Sequence, residues 1–133
     1  MSSPDERSDA RERALNLMYE AHSKGLSVTE VIDAQVIAPD ELTQLLARGS
    51  ESARDRADDL IAAKARGWTL ARMPVLDLAI MRMATFELLE RPDVPTPVVL
   101  DEAVELAKRF STDDSGRFVN GVLAAIAAEV RAA

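Results

Sequence analysis

Few side chains in this sequence are suited to covalent catalysis, because it contains one histidine, His22, and no cysteine. A serine-histidine-acid triad would have to use His22, which lies near the end of a predicted helix and has no recognisable partner. The simpler interpretation of His22, a surface or half-buried helix residue, is favoured. The sequence also lacks a glycine-rich phosphate loop and a histidine pair at metal-binding spacing.

The acidic residues offer no better catalytic pair. Three acidic pairs are adjacent in sequence, and neighbours in a helix point in different directions, so they suit a solvated face better than a metal ion or a proton transfer. These pairs are Asp58-Asp59, Asp101-Glu102 and Asp113-Asp114. We therefore expect a protein that is not an enzyme and that has no metal site.

The elements that position any binding residues are predicted to be helices. The 133 residues suffice for one domain with a real core, and aromatic residues are scarce, with three Phe, one Tyr and one Trp. Ala, Leu and Val must then fill the interior, which favours packed helices. Helical periodicity covers most of the chain, and no strand pattern is present. The predicted helices span about 6–24, a short stretch from the Ser27 cap to Pro39, 40–66, 74–90, 97–110 and a final helix containing 117–130.

Two details of this pattern carry structural predictions. The helix over 74–90 is apolar nearly all round and should lie in the middle of the fold. The long helix over 40–66 contains Gly49 and Ser50, where it is expected to bend, and its inward side is expected to include Leu45. In the connector "RGWTLARMP", Gly67 breaks the helix and Trp68 and Leu70 have apolar surface to bury.

The pair Asn120-Gly121 is unusual, since this dipeptide favours hairpin turns yet lies inside a helical pattern. A glycine in a helix interior costs about 1 kcal/mol relative to alanine. We interpret Gly121 as a site where a neighbouring helix comes close, with Asn120 bonded to a nearby loop. This interpretation predicts that Gly121→Leu destabilises the fold.

Net charge and targeting signals limit the possible partners. The formal charge of −7 argues against a protein that holds nucleic acid by bulk electrostatics, although a local basic face would still serve. No apolar run reaches the ~20 residues needed to cross a bilayer. The N-terminus has no hydrophobic segment behind a basic start, so it does not resemble a signal peptide. Together with the absence of cysteine, these features suit a cytoplasmic protein.

Several motifs in order resemble the NusB family of bacterial transcription antitermination factors. They are "RERALNLMYEA", the Trp-containing connector, "LAIMRMATFELL", "DVP", "DEAVELAK" and "KRF…DDS…RFVNGVL". The resemblance spans nearly the whole chain and is weakest between about 28 and 58. It implies an all-α fold of two three-helix bundles packed crosswise, about six to seven helices, with an N-terminal bundle over about 1–66 and a C-terminal bundle over 67–133 and no cofactor.

The resemblance also implies a function. Members of this family pair with the ribosomal protein NusE and bind boxA, a single-stranded element of nascent RNA. With other Nus factors on RNA polymerase, the complex resists termination, chiefly in ribosomal RNA operons. Three alternatives stay open: a homodimer that hides its RNA face, a helical protein–protein module without RNA binding, and a detached domain of an RNA methyltransferase system. The end of the chain at Ala133 favours the free-standing factor over the last.

The basic N-terminal segment of the family contacts RNA, and "RSDARER" matches it here. Arg7, Arg11 and Arg13 are therefore candidate RNA contacts. The alternative is a solvated helix start, since Ser8 and Asp9 dilute a segment that is usually richer in arginine.

A second group matches the RNA-contacting loop and helix start of the family: Asp114, Ser115, Arg117 and Phe118. Asp114 has a structural alternative as a helix cap, which we favour. Arg117 could bind phosphate at the positive end of the helix. Phe118 could stack on an unpaired base or belong to the core.

Two positions match the surface that meets NusE. Tyr19 lies beside the inward face of the first helix, and its apolar ring with a polar tip suits an interface as well as a partly buried core site. Asp77 is the lone acid early in an apolar helix, where it either stabilises the first turn or faces a basic partner.

Overall fold

The computed structural model describes residues 4–131, which form seven α-helices and one short 3-10 helix at Leu70–Arg72. This confirms the predicted all-α fold of six to seven helices. None of these helices is both long and apolar enough to cross a membrane. The helices are α1 Pro4–Lys24, α2 Val28–Asp33, α3 Glu41–Ser52, α4 Arg54–Lys64, α5 Val75–Glu90, α6 Thr96–Phe110 and α7 Ser115–Val130.

The boundary between α1 and α2 follows the local sequence signals. Gly25 adopts φ 66°, a conformation that glycine reaches without strain, and this ends α1. Ser27 then accepts from the backbone N–H of Glu30, whose side chain accepts from the backbone N–H of Ser27. This reciprocal capping box starts α2 as the sequence predicts. α2 ends at Asp33, earlier than the predicted stop at Pro39.

The predicted long helix over 40–66 is in fact two helices, and the break falls at Ala53 rather than at Gly49. Gly49 lies inside α3, where an added Cβ would overlap the ring of Phe86. Glycine at this position therefore lets α3 approach α5 closely, which is the reverse of a helix-breaking role. Leu45, which we expected on the inward side, is 48% exposed.

α5 is the central helix, as predicted, and packs against α1, α3, α4, α6 and α7. Its buried residues include Ile80, Met81 and Met83, each at most 2% exposed. Burying side chains of this size contributes roughly 1.5–3 kcal/mol each. Since α5 contacts helices from both halves of the chain, it joins them through one continuous core.

One arginine near the end of α7 secures the loop that follows α5. The guanidinium of Arg131 donates to four backbone carbonyls and to one hydroxyl. Carbonyls in the last turn of a helix lack partners within the helix, so the bond to the Leu88 carbonyl satisfies a group that would otherwise need water. The Glu87 and Arg91 carbonyls also accept from backbone N–H groups, so at these two the arginine adds a second bond. The acceptors are the carbonyls of Glu87, Leu88, Arg91 and Val94 and the hydroxyl of Thr96.

Candidate nucleic-acid interface

A buried carboxylate on α5 holds the loop that leads into α7. Ser111 Oγ and Ser115 Oγ both donate to Asp77, the latter at 3.0 Å, and Ser115 Oγ also accepts from the backbone N–H of Thr112 at 3.2 Å. Asp77 and Ser115 are each only 2% exposed. A buried carboxylate needs such donors, and these donors lie on the loop before α7 and in its first turn. Asp77 therefore sets where α7 begins.

This arrangement corrects three expectations. Asp77 is not exposed for a basic partner, because its carboxylate is enclosed by serine hydroxyls. Ser115 is not available for RNA in this geometry, because its hydroxyl lies in the same buried cluster. Asp114 occupies the N-cap position of α7 but makes no side-chain capping bond, so the favoured capping role is wrong. Its carboxylate is exposed instead.

Arg117 and Phe118 lie in the first turns of α7, where the sequence placed them. Arg117 is exposed and makes no ion pair or side-chain hydrogen bond with any residue in 4–131. Phe118 is partly buried against the core, so neither of its two expected roles describes it fully. Its ring lies 5.7 Å from the ring of Trp68, tilted by 54°. Trp68 is 49% exposed, although we expected the connector to bury it.

The N-terminal arginines are placed quite differently, and Arg11 is the clearest correction. It is 2% exposed, and its Nε and Nη2 each lie 2.9 Å from the carboxylate of Glu87, with Glu102 3.7 Å from Nη1. Burial would lower the pKa of the guanidinium, but the hydrogen bond and charge of Glu87, with Glu102, raise this pKa above its ordinary value. Arg11 therefore joins α1 to α5 and α6 and is not available to RNA.

The other two N-terminal candidates, Arg13 and Arg7, are less buried than Arg11. Arg13 is 56% exposed, but one guanidinium nitrogen lies 3.4 Å from Asp40. Asp40 caps α3 through Thr43, and the hydrogen bond from the Thr43 hydroxyl, ahead of the Arg13 charge, lowers the pKa of Asp40. Arg7 is partly buried. At the start of α1, most of the positive charge is therefore compensated by carboxylates of the protein itself.

Tyr19 is 46% exposed on α1, as a partner contact requires, and it stays the candidate for an interface.

Asn120 and Gly121 are also exposed, and a Cβ added to Gly121 would meet nothing within 4 Å. The interpretation of Gly121 as a helix-packing site is therefore wrong. The close helix contacts are instead at Gly49 and at Gly116, where a Cβ would lie 3.1 Å from Cγ of Lys108.

The histidine and the carboxylates were the other candidates for a reactive site. His22 is exposed in the last turn of α1, where a basic side chain complements the helix dipole. Within residues 4–131, no group of three or more histidine or carboxylate side chains is placed to hold a metal ion. The structure instead presents the exposed Arg117 beside partly exposed aromatic rings at the start of α7.

Comparisons with known proteins identify the fold around this surface. Residues 8–128 match the model of the NusB family. A curated relative, "Transcription antitermination protein NusB" of Saccharopolyspora erythraea, is 48% identical over 127 residues, covering 91% of this chain and 86% of that protein. The chain belongs to the NusB family. Members of this family are transcription antitermination proteins and not enzymes.

Solved structures agree with this assignment. T. maritima NusB superposes with a TM-score of 0.83 at 31% identity, covering 97% of this chain and 94% of that one. A chain in a structure described as a plectonemic RNA supercoil superposes with a TM-score of 0.75 at 26% identity, covering 90% of this chain and 92% of that one. The seven-helix NusB-like fold is thus shared over nearly all of the described residues.

Proposed function

We propose that this member of the NusB family binds boxA-type single-stranded RNA together with the ribosomal protein NusE, and that it supports transcription of ribosomal RNA operons in the cytoplasm through other Nus factors and RNA polymerase. The observation that carries the proposal is the surface at the start of α7, where Arg117 has no ion pair or side-chain hydrogen bond within residues 4–131 and Phe118 is partly exposed. An unpaired cation beside an aromatic ring matches the chemistry of single-stranded nucleic acid, which combines phosphates with unstacked bases.

The charge balance of the chain supports an adaptor that needs a partner. With a formal charge of −7, the protein gains little from long-range attraction to RNA. The arginines at the start of α1 add little free charge, because Arg11 is buried and Arg13 is paired. A second basic protein that supplies further phosphate contacts would correct this deficit, and NusE is the candidate from the family. Tyr19, exposed on α1, is our candidate for its docking residue.

The test is a titration of fluorescently labelled boxA-like RNA with the protein, measured by anisotropy with and without NusE. We expect weak binding by the chain alone, a clear gain with NusE, and a loss of affinity as salt rises. A scrambled RNA of equal length controls for sequence preference. Equal anisotropy in every condition would overturn the proposal and favour a protein–protein module.

The partner role of Tyr19 has its own control. Tyr19→Ala should reduce the gain from NusE while leaving the weak binding of RNA to the chain alone unchanged. Ile37→Ala is the matched variant, because Ile37 is also an exposed apolar side chain, 85% exposed, in the loop after α2. If both variants leave the NusE-dependent gain intact, the partner docks elsewhere.

A further inference from the structure

Trp68, the single tryptophan of the chain, is more exposed than we expected. Gly67 adopts φ 80° and turns the chain at the end of α4, which carries Trp68 towards α7. There its ring meets that of Phe118 at 5.7 Å in a tilted geometry, yet 49% of Trp68 stays exposed. The pair is therefore partly packed and partly open, with ring surface left to solvent on a protein that has few aromatic residues.

The helix surface beside this pair is bare. Gly121 follows Phe118 by three residues, which places the two on the same side of α7, one turn apart. Gly121 has no positive φ, and nothing lies within 4 Å of the Cβ that alanine would place there. Neither backbone conformation nor internal packing explains a glycine that weakens the helix relative to alanine. Its remaining effect is to leave room next to the aromatic rings.

Basic side chains without a carboxylate partner flank the two aromatic residues in sequence. Most lysine and arginine side chains within 4–131 have carboxylate partners, but five make no ion pair or side-chain hydrogen bond there: Arg56, Arg66, Arg72, Lys108 and Arg117. Arg66 and Arg72 lie on either side of Trp68 in the connector, and Arg117 directly precedes Phe118. The planar guanidinium of arginine suits phosphate, so these three arginines could contact an anionic ligand that lies on the rings.

Charge alone would hold that ligand weakly, because Asp113 and Asp114 are exposed just before α7. Affinity must therefore come largely from the rings. A ligand that presents both a flat π-face and flanking negative charges is a nucleotide in a single strand.

We propose that Trp68 and Phe118 form a platform on which one unpaired base of the RNA stacks, with Gly121 leaving space beside it and Arg66, Arg72 and Arg117 contacting the neighbouring phosphates. This rests on the proposed function, and adds the connector between α4 and α5 to the RNA surface. The platform accepts any base, since every base has a π-face, so it contributes affinity more than sequence preference.

Trp68 is the only tryptophan of the chain, so the tryptophan fluorescence of the protein comes from this side chain alone and tests the proposal directly. Unlabelled boxA-like RNA should quench Trp68 fluorescence in proportion to binding. The same oligonucleotide with abasic sites throughout keeps its phosphates and should quench little. In the anisotropy titration, Trp68→Leu should weaken binding roughly ten-fold, Trp68→Phe should keep most of the affinity, and Ile37→Ala should match the wild type.

The possible outcomes separate the platform from the wider function. RNA binding without Trp68 quenching, or with equal quenching by abasic RNA, would overturn the platform and leave the proposed function standing. Absence of RNA binding with and without NusE would overturn the proposed function and the platform with it. The quenching measurement uses the wild-type protein, so it decides the question even if a Trp68 variant fails to fold; a melting curve checks each variant.

Discussion

The starts of α1 and α7 were both expected to contact RNA, but their arginines differ in whether carboxylates of the protein pair with them. At the start of α1, Arg11 is enclosed by Glu87 and Glu102, and Arg13 faces Asp40. At the start of α7, Arg117 is exposed with no partner in the described part of the chain. The number of arginines in a segment therefore does not measure its capacity to bind phosphate. What matters is which carboxylates the fold brings to them.

The two regions differ because of contacts between residues far apart in sequence. Glu87 is on α5, and its side chain reaches Arg11 across the junction of α1 and α5 while also accepting from Arg91. Two hydrogen bonds in parallel suit the planar guanidinium and fix its orientation. At α1, the basic charge stabilises the fold; at α7, it stays available to a ligand.

The largest effect should come from removing the buried cation. Arg11→Met leaves the carboxylate of Glu87 buried with only Arg91 as a charged partner, and breaking a buried pair in this way costs about 3 kcal/mol or more. We expect Tm to fall by roughly 10 °C in a thermal melt. RNA binding measured well below the new Tm should change little, because Arg11 does not reach the surface.

The control for this prediction is the double variant Arg11→Met, Glu87→Met. Replacing both partners with apolar side chains removes the unpaired charge and should recover part of the lost stability. If Arg11→Met melts like the wild type and loses RNA affinity, Arg11 contacts RNA directly and the contrast between the two regions is wrong.

A smaller effect, on binding rather than stability, should distinguish the exposed arginines. Arg117→Ala should weaken RNA binding by up to about 1 kcal/mol, roughly five-fold, and reduce the slope of log affinity against log salt by about 0.7. Arg13→Ala should change the affinity and the salt slope less, because Asp40 already compensates the charge of Arg13. Neither substitution should shift Tm appreciably. Anisotropy titrations at several salt concentrations measure both quantities.

The matched variant is Arg56→Ala, since Arg56 is exposed on α4 and pairs with no residue in the described range 4–131, yet lies outside the proposed surface. Equal losses in Arg117→Ala and Arg56→Ala would mean that RNA senses only overall charge. A larger loss in Arg13→Ala than in Arg117→Ala would reverse the comparison.

Local patterns in the sequence were enough to predict most of the fold, since a helical period and a cap are properties of neighbouring residues. The capping box at Ser27, the glycine stop at Gly25 and the central position of α5 follow from such patterns. The break at Ala53 does not, because no glycine, proline or capping side chain marks it.

The site was harder to predict, because its contacts join distant parts of the chain. Asp77 and Ser115 are 38 residues apart, and nothing in their local pattern reveals that one donates to the other. The pairing of Trp68 with Phe118 is equally invisible, although a tryptophan beside a helix-breaking glycine, flanked by Arg66 and Arg72, is a signal that could have been weighed as a binding element.

The smallest expected effect tests why α7 keeps its exposed glycine. Gly121→Ala should stabilise the protein by up to about 1 kcal/mol, because alanine favours the helix and its methyl group meets nothing within 4 Å. Gly121→Leu, which the sequence alone marked as destabilising, should now cause no loss of Tm. Gly49→Ala is the opposite control, since its Cβ would collide with the Phe86 ring and lower Tm.

The same two variants at Gly121 extend the comparison from stability to function. If the bare surface beside Phe118 serves the ligand, Gly121→Leu should bind RNA more weakly than the wild type while melting no lower, because its side chain fills the space beside the rings. At α1 the reverse holds, since Arg11→Met lowers Tm with little effect on binding. A variant of Gly121 that gains stability and keeps full affinity would show that this glycine has no part in binding, and the difference between the two regions would then rest on their arginines alone.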